Sequence, residues 1–295
     1  MLPGDQLPRL KMAHQESAED ALHRVERERR AQELKRESEL ELSLAPFRVG
    51  SVPYLNSVPL TRGLESEIEF IPPSALAEKL RRGDLDAALV SITEVLFNDL
   101  YDVLDSIAVA SLGEVRSVFL AHRKPIESVQ EIYCDTASLT SVNLLRVLMA
   151  EQGLKPEFKP LAHYADAKSH DFVLLIGNPA IDFARSNPEH TLFDLGTAWY
   201  ELTGLPFVYA VWALRRAVPN EKLRRLLREA RDFGMDTLDH LIHSRPEYDL
   251  DFRKDYLGWH IHYHLGSDEK RGIEAFIGLL EKHGLGPVFR PTYVS

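Results

Sequence analysis

The sequence predicts an α/β protein with two α/β units followed by a mostly helical C-terminal part. Three observations support this fold class. The chain has 295 residues, which suits about two domains of 100–200 residues. From residue 47 onward, short apolar runs typical of buried strands alternate with helical patterns, an order that indicates parallel sheets covered on both faces. After Pro219 the apolar residues recur mainly at helical spacing.

The composition excludes several classes of function. The 35 Lys and Arg residues against 45 Asp and Glu residues give a formal net charge of −10, whereas binding to nucleic acid or an anionic membrane requires a basic surface. The one cysteine, Cys134, forms neither an internal disulfide nor a thiolate zinc site alone. No stretch approaches the ~20 apolar residues of a membrane span, and no export signal is recognisable. We therefore expect a cytoplasmic protein, and the sequence leaves a homodimer open.

Residues 1–45 differ from the rest of the chain. They contain many charged residues and helix formers, but few apolar residues and no sustained heptad repeat. Such a segment lacks the apolar surface that would pack a helix firmly. We expect a charged helical or disordered tail here, with a coiled-coil arm as the alternative.

The two α/β units follow in order along the chain. In the first, strands over 47–52 and 67–71 precede a helix over 75–82, an apolar strand over 87–90 and a helix from about Thr93.

The second unit contains a strand over 132–134, a helix over 140–152 and a buried strand over 172–176.

The lobe boundaries depend on one strand pairing. If the strand over 207–214 returns to pair with the extended segment 115–122, the first lobe is discontinuous and consists of 46–125 plus 207–295. Residues 126–206 then form the second lobe. A cleft between two such sheets is where open α/β folds bind ligands.

The C-terminal part is predicted to be helical over 223–241, with further helices near 252–264 and 268–283. The second carries His260, His262 and His264. On a helix, residues two apart diverge by about 200°, so only the outer two histidines could share an ion. We therefore expect no metal site.

Several runs of residues resemble one enzyme family when taken in order. They are Val49–Leu60 (VGSVPYLNSVPL), Gly83–Ser91 (GDLDAALVS), Ser117–Leu120 (SVFL), Thr140–Leu148 (TSVNLLRVL), Leu174–Gly177 (LLIG) and Asp194–Trp212 (DLGTAWYELTGLPFVYAVW). The chain resembles the chorismate dehydratases of the futalosine route to menaquinone over about residues 47–290.

The resemblance implies a two-lobed fold of the periplasmic-binding-protein type II class. It also implies a reaction, in which chorismate loses water across C3 and C4 of its ring to give 3-[(1-carboxyvinyl)oxy]benzoate. The partner is then a small-molecule substrate. No cofactor is needed because the elimination itself makes the ring aromatic, and the chain has no dinucleotide or phosphate-loop motif.

Neutral donors are the expected ligands of this dianionic substrate, since the cleft-forming loops are poor in Lys and Arg. Hydroxyls and backbone N–H groups at a helix start can bind a carboxylate, although Ser and Thr there also serve as plain N-caps. The resemblance extends the set to two further serines and a glycine at strand ends. The expected substrate-binding residues are Ser91, Ser117, Ser138, Thr140, Ser141 and Gly177.

Asn56 is the expected catalytic residue, with ordinary turn chemistry as the alternative. An amide is no strong base, but it can orient the C4 hydroxyl or the enolpyruvyl carboxylate. The acceptor of the C3 proton is therefore either that carboxylate, which we favour, or Glu94, for which a helix-start role is the alternative. Asn178 stands where the family pattern suggests Asp, so a charge is lost if that position contacts ligand.

Two rival functions remain. One is a solute-binding protein for a small anion, and the other is the sister enzyme that makes 1,4-dihydroxy-6-naphthoate. The first would need an export or lipidation signal, and the second family opens with a different signature from Tyr54-Leu55-Asn56.

Overall fold

Two β-sheets and the helices around them form the fold in this computed structural model, which describes Val25 and residues 43–135, 139–216 and 218–295. The strands of the described residues are β1 Val49–Ser51, β2 Ile68–Phe70, β3 Ala87–Ser91, β4 Tyr101–Ser111, β5 Val118–His122, β6 Glu131–Cys134, β7 Glu157–Pro160, β8 Phe172–Ile176, β9 Thr191–Asp194, β10 Phe207–Arg215 and β11 Thr292–Val294. The predictions for residues 1–45 lie outside the described residues, apart from the exposed, helical Val25 and residues 43–45.

The helices flank these strands. The α-helices of the described residues are α1 Pro73–Arg82, α2 Ile92–Phe97, α3 Leu139–Glu151, α4 Gly177–Ser186, α5 Leu195–Thr203, α6 Glu221–Asp236, α7 Leu238–Ser244, α8 Leu250–Asp255 and α9 Ser267–Lys282. Short 3₁₀ turns occupy Leu55–Leu60, Ile126–Ser128 and Tyr164–Ser169, and a π-turn occupies Tyr256–His260. Of the helices described, none is long and apolar enough to cross a bilayer.

The first sheet has the strand order β11-β4-β10-β3-β1-β2. Its β1 strand runs parallel to β2 and β3, as the β-α-β pattern of the sequence predicts. The long strand β10 then lies antiparallel between β3 and β4. All three residues of β1 are buried, so the loop that follows β1 starts from a fixed edge of the sheet.

The second sheet has the order β7-β6-β8-β5-β9, with β5 antiparallel to both β8 and β9. The expected pairing of 207–214 with 115–122 is therefore wrong, since β10 joins the first sheet and β5 the second. Both strands are apolar and buried along most of their length, so their periodicity does not select a partner. The chain passes between the sheets at 112–117 and 204–206, and the division into lobes stays a prediction.

The C-terminal part is helical, but the helix predicted near 252–264 is wrong for its last four residues. Helix α8 and the π-turn end at His260, and the chain then becomes extended. The backbone of His262 exchanges hydrogen bonds of 2.7 and 2.9 Å with Ala110 of β4. This short antiparallel bridge satisfies backbone groups that a helix would have paired internally.

An aromatic cluster joins the C-terminal helices to the sheets. The rings of Trp199, Phe207 and Phe276 meet edge to face at centroid distances of 5.1 to 5.9 Å. The Trp199 indole donates a hydrogen bond of 3.1 Å to the Pro206 carbonyl, at the second crossing between the sheets. This cluster therefore fixes the end of α5, the start of β10 and one face of α9 against one another.

Candidate active site

A cavity lies between the two sheets. The empty space within it, with the open solvent at its mouth included, is about 620 Å³. The apolar part of its wall comes from strands of both sheets and from the first crossing segment, with Val52, Leu89, Val109, Val115, Val118 and Ile176 as members. None of the described residues that line the cavity is an Asp, Glu, Lys or Arg.

The cavity brings together most of the residues expected from the sequence. Six of the seven line it: Asn56, Ser91, Ser117, Thr140, Ser141 and Gly177. The seventh, Ser138, lies outside the described residues. The six come from the loop after β1, the end of β3, the crossing before β5, the start of α3 and the end of β8. Their roles toward a ligand stay predictions, but their proximity is a property of the fold.

Asn56 is fixed at one side of the cavity by the 3₁₀ turn after β1. The Ser57 hydroxyl donates to the carbonyls of Val52 and Tyr54 at 2.7 and 2.8 Å, which closes this turn. The Asn56 side chain lies close enough to the Tyr256 hydroxyl to lower the pKa of that phenol. The turn thus places Asn56 in the cavity wall beside Tyr256.

Tyr256 is a residue that the sequence analysis missed. Its hydroxyl is buried and donates a hydrogen bond of 2.8 Å to Ser117 Oγ. Burial raises the pKa of Tyr256 to about 12, while the hydrogen bonds to Ser117 and Asn56 oppose that rise. The phenol therefore stays protonated near neutral pH and holds Ser117 of the crossing segment beside Asn56. The sequence gave no sign that Tyr256 is part of the site, because a Tyr in a predicted amphipathic helix usually packs in the core.

Thr140 makes a contact between the two sheets' helices. Its hydroxyl accepts a hydrogen bond from the Thr93 backbone N–H and donates one to Thr93 Oγ1, both at 3.0 Å. A hydroxyl has one proton to donate, and here that proton goes to Thr93. In this geometry Thr140 therefore holds α3 against α2, and the first-turn N–H groups of α3 are the better donors toward a ligand.

The backbone conformation and the surroundings of residue 177 require a glycine. Its φ is +61°, a left-handed conformation that residues with a Cβ rarely adopt. A Cβ there would also lie 3.0 Å from ring atoms of Tyr54. The Gly177 N–H donates 2.8 Å to the Ser117 carbonyl, so the end of β8 meets both the β1 loop and the crossing segment here.

Asn178, the departure from the family pattern, does not line the cavity. Its Oδ1 accepts a hydrogen bond of 3.2 Å from the Leu55 N–H, and its carbonyl accepts one of 3.3 Å from the Tyr248 hydroxyl. The side chain therefore connects α4 to the loop that carries Asn56. The neutral amide serves this contact as a carboxylate would, and the charge of the cavity wall is unaffected.

Glu94 is buried but does not line the cavity. Its carboxylate accepts hydrogen bonds from Arg81 at 2.6 Å and from Asn98 and Tyr101 at 3.1 Å each. Burial raises the pKa of Glu94, and the Arg81 charge and the Tyr101 hydrogen bond oppose that rise. These partners hold Glu94 in the packing between α1, α2 and β4. The contacts therefore favour a structural role for Glu94 over the role of proton acceptor.

Asp194 holds the first crossing segment in place and was not expected from the sequence. Its carboxylate accepts backbone hydrogen bonds from Val115 at 3.1 and 3.2 Å, Arg116 at 2.8 Å and Thr197 at 2.9 Å. The bond from Thr197 caps α5, and the Asp-x-x-Thr spacing was the signal available for it. The other two fix the segment that places Ser117 in the cavity wall.

The fold and its cavity define a class of protein. A crystal structure from Archaeoglobus fulgidus superposes with a TM-score of 0.65 at 20% identity, covering 81% of this chain and 98% of that one. The periplasmic aliphatic sulphonate binding protein of Escherichia coli gives 0.55 at 16% identity, covering 84% and 93%. The chain thus has a periplasmic-binding-protein-like fold, which confirms the fold class that the resemblance implied.

Comparison of the sequence with known families is more specific than comparison of the fold. Residues 47–282 match the family model described as menaquinone biosynthesis. A chorismate dehydratase from Thermus thermophilus is 33% identical over 275 residues, which are 85% of this chain and 99% of the relative. One from Campylobacter jejuni is 25% identical over 242 residues, 80% and 92% of the two chains. The chain belongs to this menaquinone biosynthesis family.

Proposed function

We propose that the protein is a chorismate dehydratase, a hydro-lyase that removes water from chorismate to give 3-[(1-carboxyvinyl)oxy]benzoate. One observation carries the proposal: Asn56, Ser91, Ser117 and Ser141 line one cavity between the two sheets, in a chain whose named relatives are chorismate dehydratases.

Binding rests on uncharged donors. One carboxylate of the substrate faces the start of α3, where first-turn N–H groups and the positive end of the helix dipole favour an anion. The Ser141 hydroxyl lines the cavity at this point. Ser117 adds a hydroxyl on the crossing segment, where the Tyr256 phenol already donates to it and leaves its own proton available.

The elimination proceeds by transfer of one proton and departure of one hydroxyl. The C3–H electron pair forms the new ring double bond while the C4–O bond breaks, and the hydroxyl leaves with a proton as water. We propose that the substrate's own enolpyruvyl carboxylate takes the C3 proton and supplies it to the leaving hydroxyl. Asn56 holds that carboxylate, and Tyr256 fixes the orientation of the Asn56 amide.

The absence of a lining carboxylate among the described residues supports this division of labour. Glu94 is engaged by Arg81, Asn98 and Tyr101, so it has neither the position nor a vacant orientation for proton transfer at C3. We propose the cytoplasm as the place of reaction, since Cys134 is an unpaired buried thiol, as suits a reducing compartment.

The test is incubation of the purified full chain with chorismate. We expect a product that is lighter by one water and has the absorbance of a substituted benzoate. The Asn56→Ala variant should lose at least about 100-fold in kcat, the size of loss typical when one oriented polar group of an active site is removed. The Glu94→Gln variant is the matched control and should keep its kcat/KM within about tenfold of the unmodified chain.

Three other outcomes would contradict parts of the proposal. Binding of chorismate without conversion would indicate a solute-binding protein. Conversion of a cyclised nucleoside product of the same route, with none of chorismate, would indicate the sister enzyme. Full activity of Asn56→Ala would exclude the role proposed for that amide while leaving the overall reaction in place.

A further inference from the structure

The segment between the π-turn and α9 is extended, and its side chains alternate between two faces. Ile261, Tyr263 and Leu265 are buried in the core. His262 and His264 fall between them, so they point to the opposite face of the segment, as the two-residue period of extended chain requires. The objection that residues two apart diverge on a helix therefore does not apply to this pair.

The two imidazoles and one carboxylate converge on that face. The His262 and His264 rings are stacked with centroids 5.4 Å apart. His264 Nε2 lies 3.1 Å from Glu269 Oε1, and the three potential donor atoms all lie within 4.8 Å of one another. These residues belong to one stretch of eight, so their spacing is fixed locally by the turn into α9.

Glu269 is oriented by its second oxygen. Glu269 Oε2 accepts a hydrogen bond of 2.8 Å from the Gly266 N–H, the capping contact at the start of α9. A Cβ at Gly266 would lie 3.0 Å from this oxygen and 3.7 Å from His264 Cδ2. The turn at Gly266 therefore passes close to both His264 and Glu269. Glu269 Oε2 caps α9, and Glu269 Oε1 faces His264.

We propose that His262, His264 and Glu269 bind a divalent cation of the zinc class. Two imidazole nitrogens and a carboxylate oxygen form a common three-ligand set for zinc, with water in the fourth position. Bonds of about 2.0–2.2 Å at tetrahedral angles separate neighbouring donors by about 3.4 Å. Here His264 Nε2 and Glu269 Oε1 are 3.1 Å apart, and His262 must approach from within 4.8 Å.

A simpler interpretation is that the cluster only stabilises the start of α9. The His264–Glu269 contact and the capping bond are consistent with it. It does not account for His262, whose Nδ1 is buried and has no hydrogen-bond partner among the described residues. A cation bound between the three residues would give this buried nitrogen a partner. Capping of α9 involves only Glu269 and Gly266 and leaves the nitrogen unpaired.

The site is separate from the proposed active site. None of the three residues lines the cavity described above. His262 is joined to that cavity through the backbone, because its bridge partner Ala110 follows the lining residue Val109 in β4. The cation is therefore expected to stabilise the junction of β4 with the start of α9 and not to take part in elimination.

The test is titration of the chelator-treated full chain with Zn²⁺, followed by calorimetry. We expect saturable binding with one site assigned to this cluster. His264→Ala should weaken that binding at least about tenfold, a loss typical of damage to a metal site. Glu269→Gln keeps an oxygen for the Gly266 N–H but removes the charge, so it should weaken binding without uncapping α9.

His243→Ala is the matched control, since His243 is an exposed histidine on α7 whose ring contacts only the carbonyl of Asp239 among the contacts described. It should bind Zn²⁺ as the unmodified chain does. The proposal is overturned if the unmodified chain shows no saturable binding, or if His264→Ala and Glu269→Gln bind as tightly as the control.

Discussion

Replacement of Asp194 by alanine should destabilise the protein more than removal of an ordinary helix cap. Three backbone N–H groups lose their acceptor, two in the crossing segment and one at the start of α5. The cap alone is worth about 1 kcal/mol. Each hydrogen bond to a charged acceptor contributes about 1.5–3 kcal/mol. Because burial also raises the pKa of Asp194, the carboxylate carries a desolvation cost, and we expect a net loss of about 3–5 kcal/mol.

The assay is urea unfolding of Asp194→Ala beside two comparison variants. Asp194→Asn keeps one acceptor oxygen and should lose less than Asp194→Ala. Asp249→Ala removes an N-cap that accepts a single backbone hydrogen bond, from Phe252 at 2.8 Å, together with an exposed ion pair to Arg185 at 2.6 Å, and should cost only about 1–2 kcal/mol. If Asp194→Ala unfolds at the same urea concentration as Asp249→Ala, the two bonds to the crossing segment contribute nothing and the reasoning is refuted.

Three further substitutions probe the cavity. Tyr256→Phe removes the hydroxyl that donates to Ser117, so kcat should fall about tenfold or more with KM little changed; steady-state kinetics identical to those of the unmodified enzyme would contradict this. Gly177→Ala forces a Cβ into a left-handed residue and against the Tyr54 ring, and should cost at least about 1 kcal/mol of unfolding free energy, an effect absent if the melting temperature is unchanged. Glu94→Gln should lower stability but retain kcat/KM within about tenfold, since the side chain is away from the cavity; a loss as large as that of an oxyanion-hole donor would restore Glu94 as the proton acceptor.

The sequence predicted the architecture where local patterns are strong. The strand over 172–176 and the helix over 140–152 were placed to within a residue, because apolar runs ending at glycine or at a helix cap mark their own limits. Strand partners were not predictable in the same way. The strands β5 and β10 are both apolar, so which sheet each joins depends on the long connections around them and not on their own residues.

The candidate site was largely predictable because its members follow strand ends and helix starts. Ser91 ends β3, Gly177 follows β8 directly, and Asn56 lies in the 3₁₀ turn of the loop after β1. Tyr256 and Asp194 were missed because they act through contacts between segments that are far apart in sequence. The alternation Ile261-His262-Tyr263-His264-Leu265 was a readable strand signal, but the helical pattern on both sides of it obscured the period of two.

The uncharged lining of the cavity, as far as the described residues extend, also has a kinetic consequence. A chain of net charge −10 repels a dianion over distances of about 10 Å at 0.1 M ionic strength, and no lining cation offsets this at short range. Added salt shortens the reach of the repulsion. Encounter between enzyme and dianion should therefore accelerate as ionic strength rises, the reverse of enzymes that steer anions toward lysine and arginine.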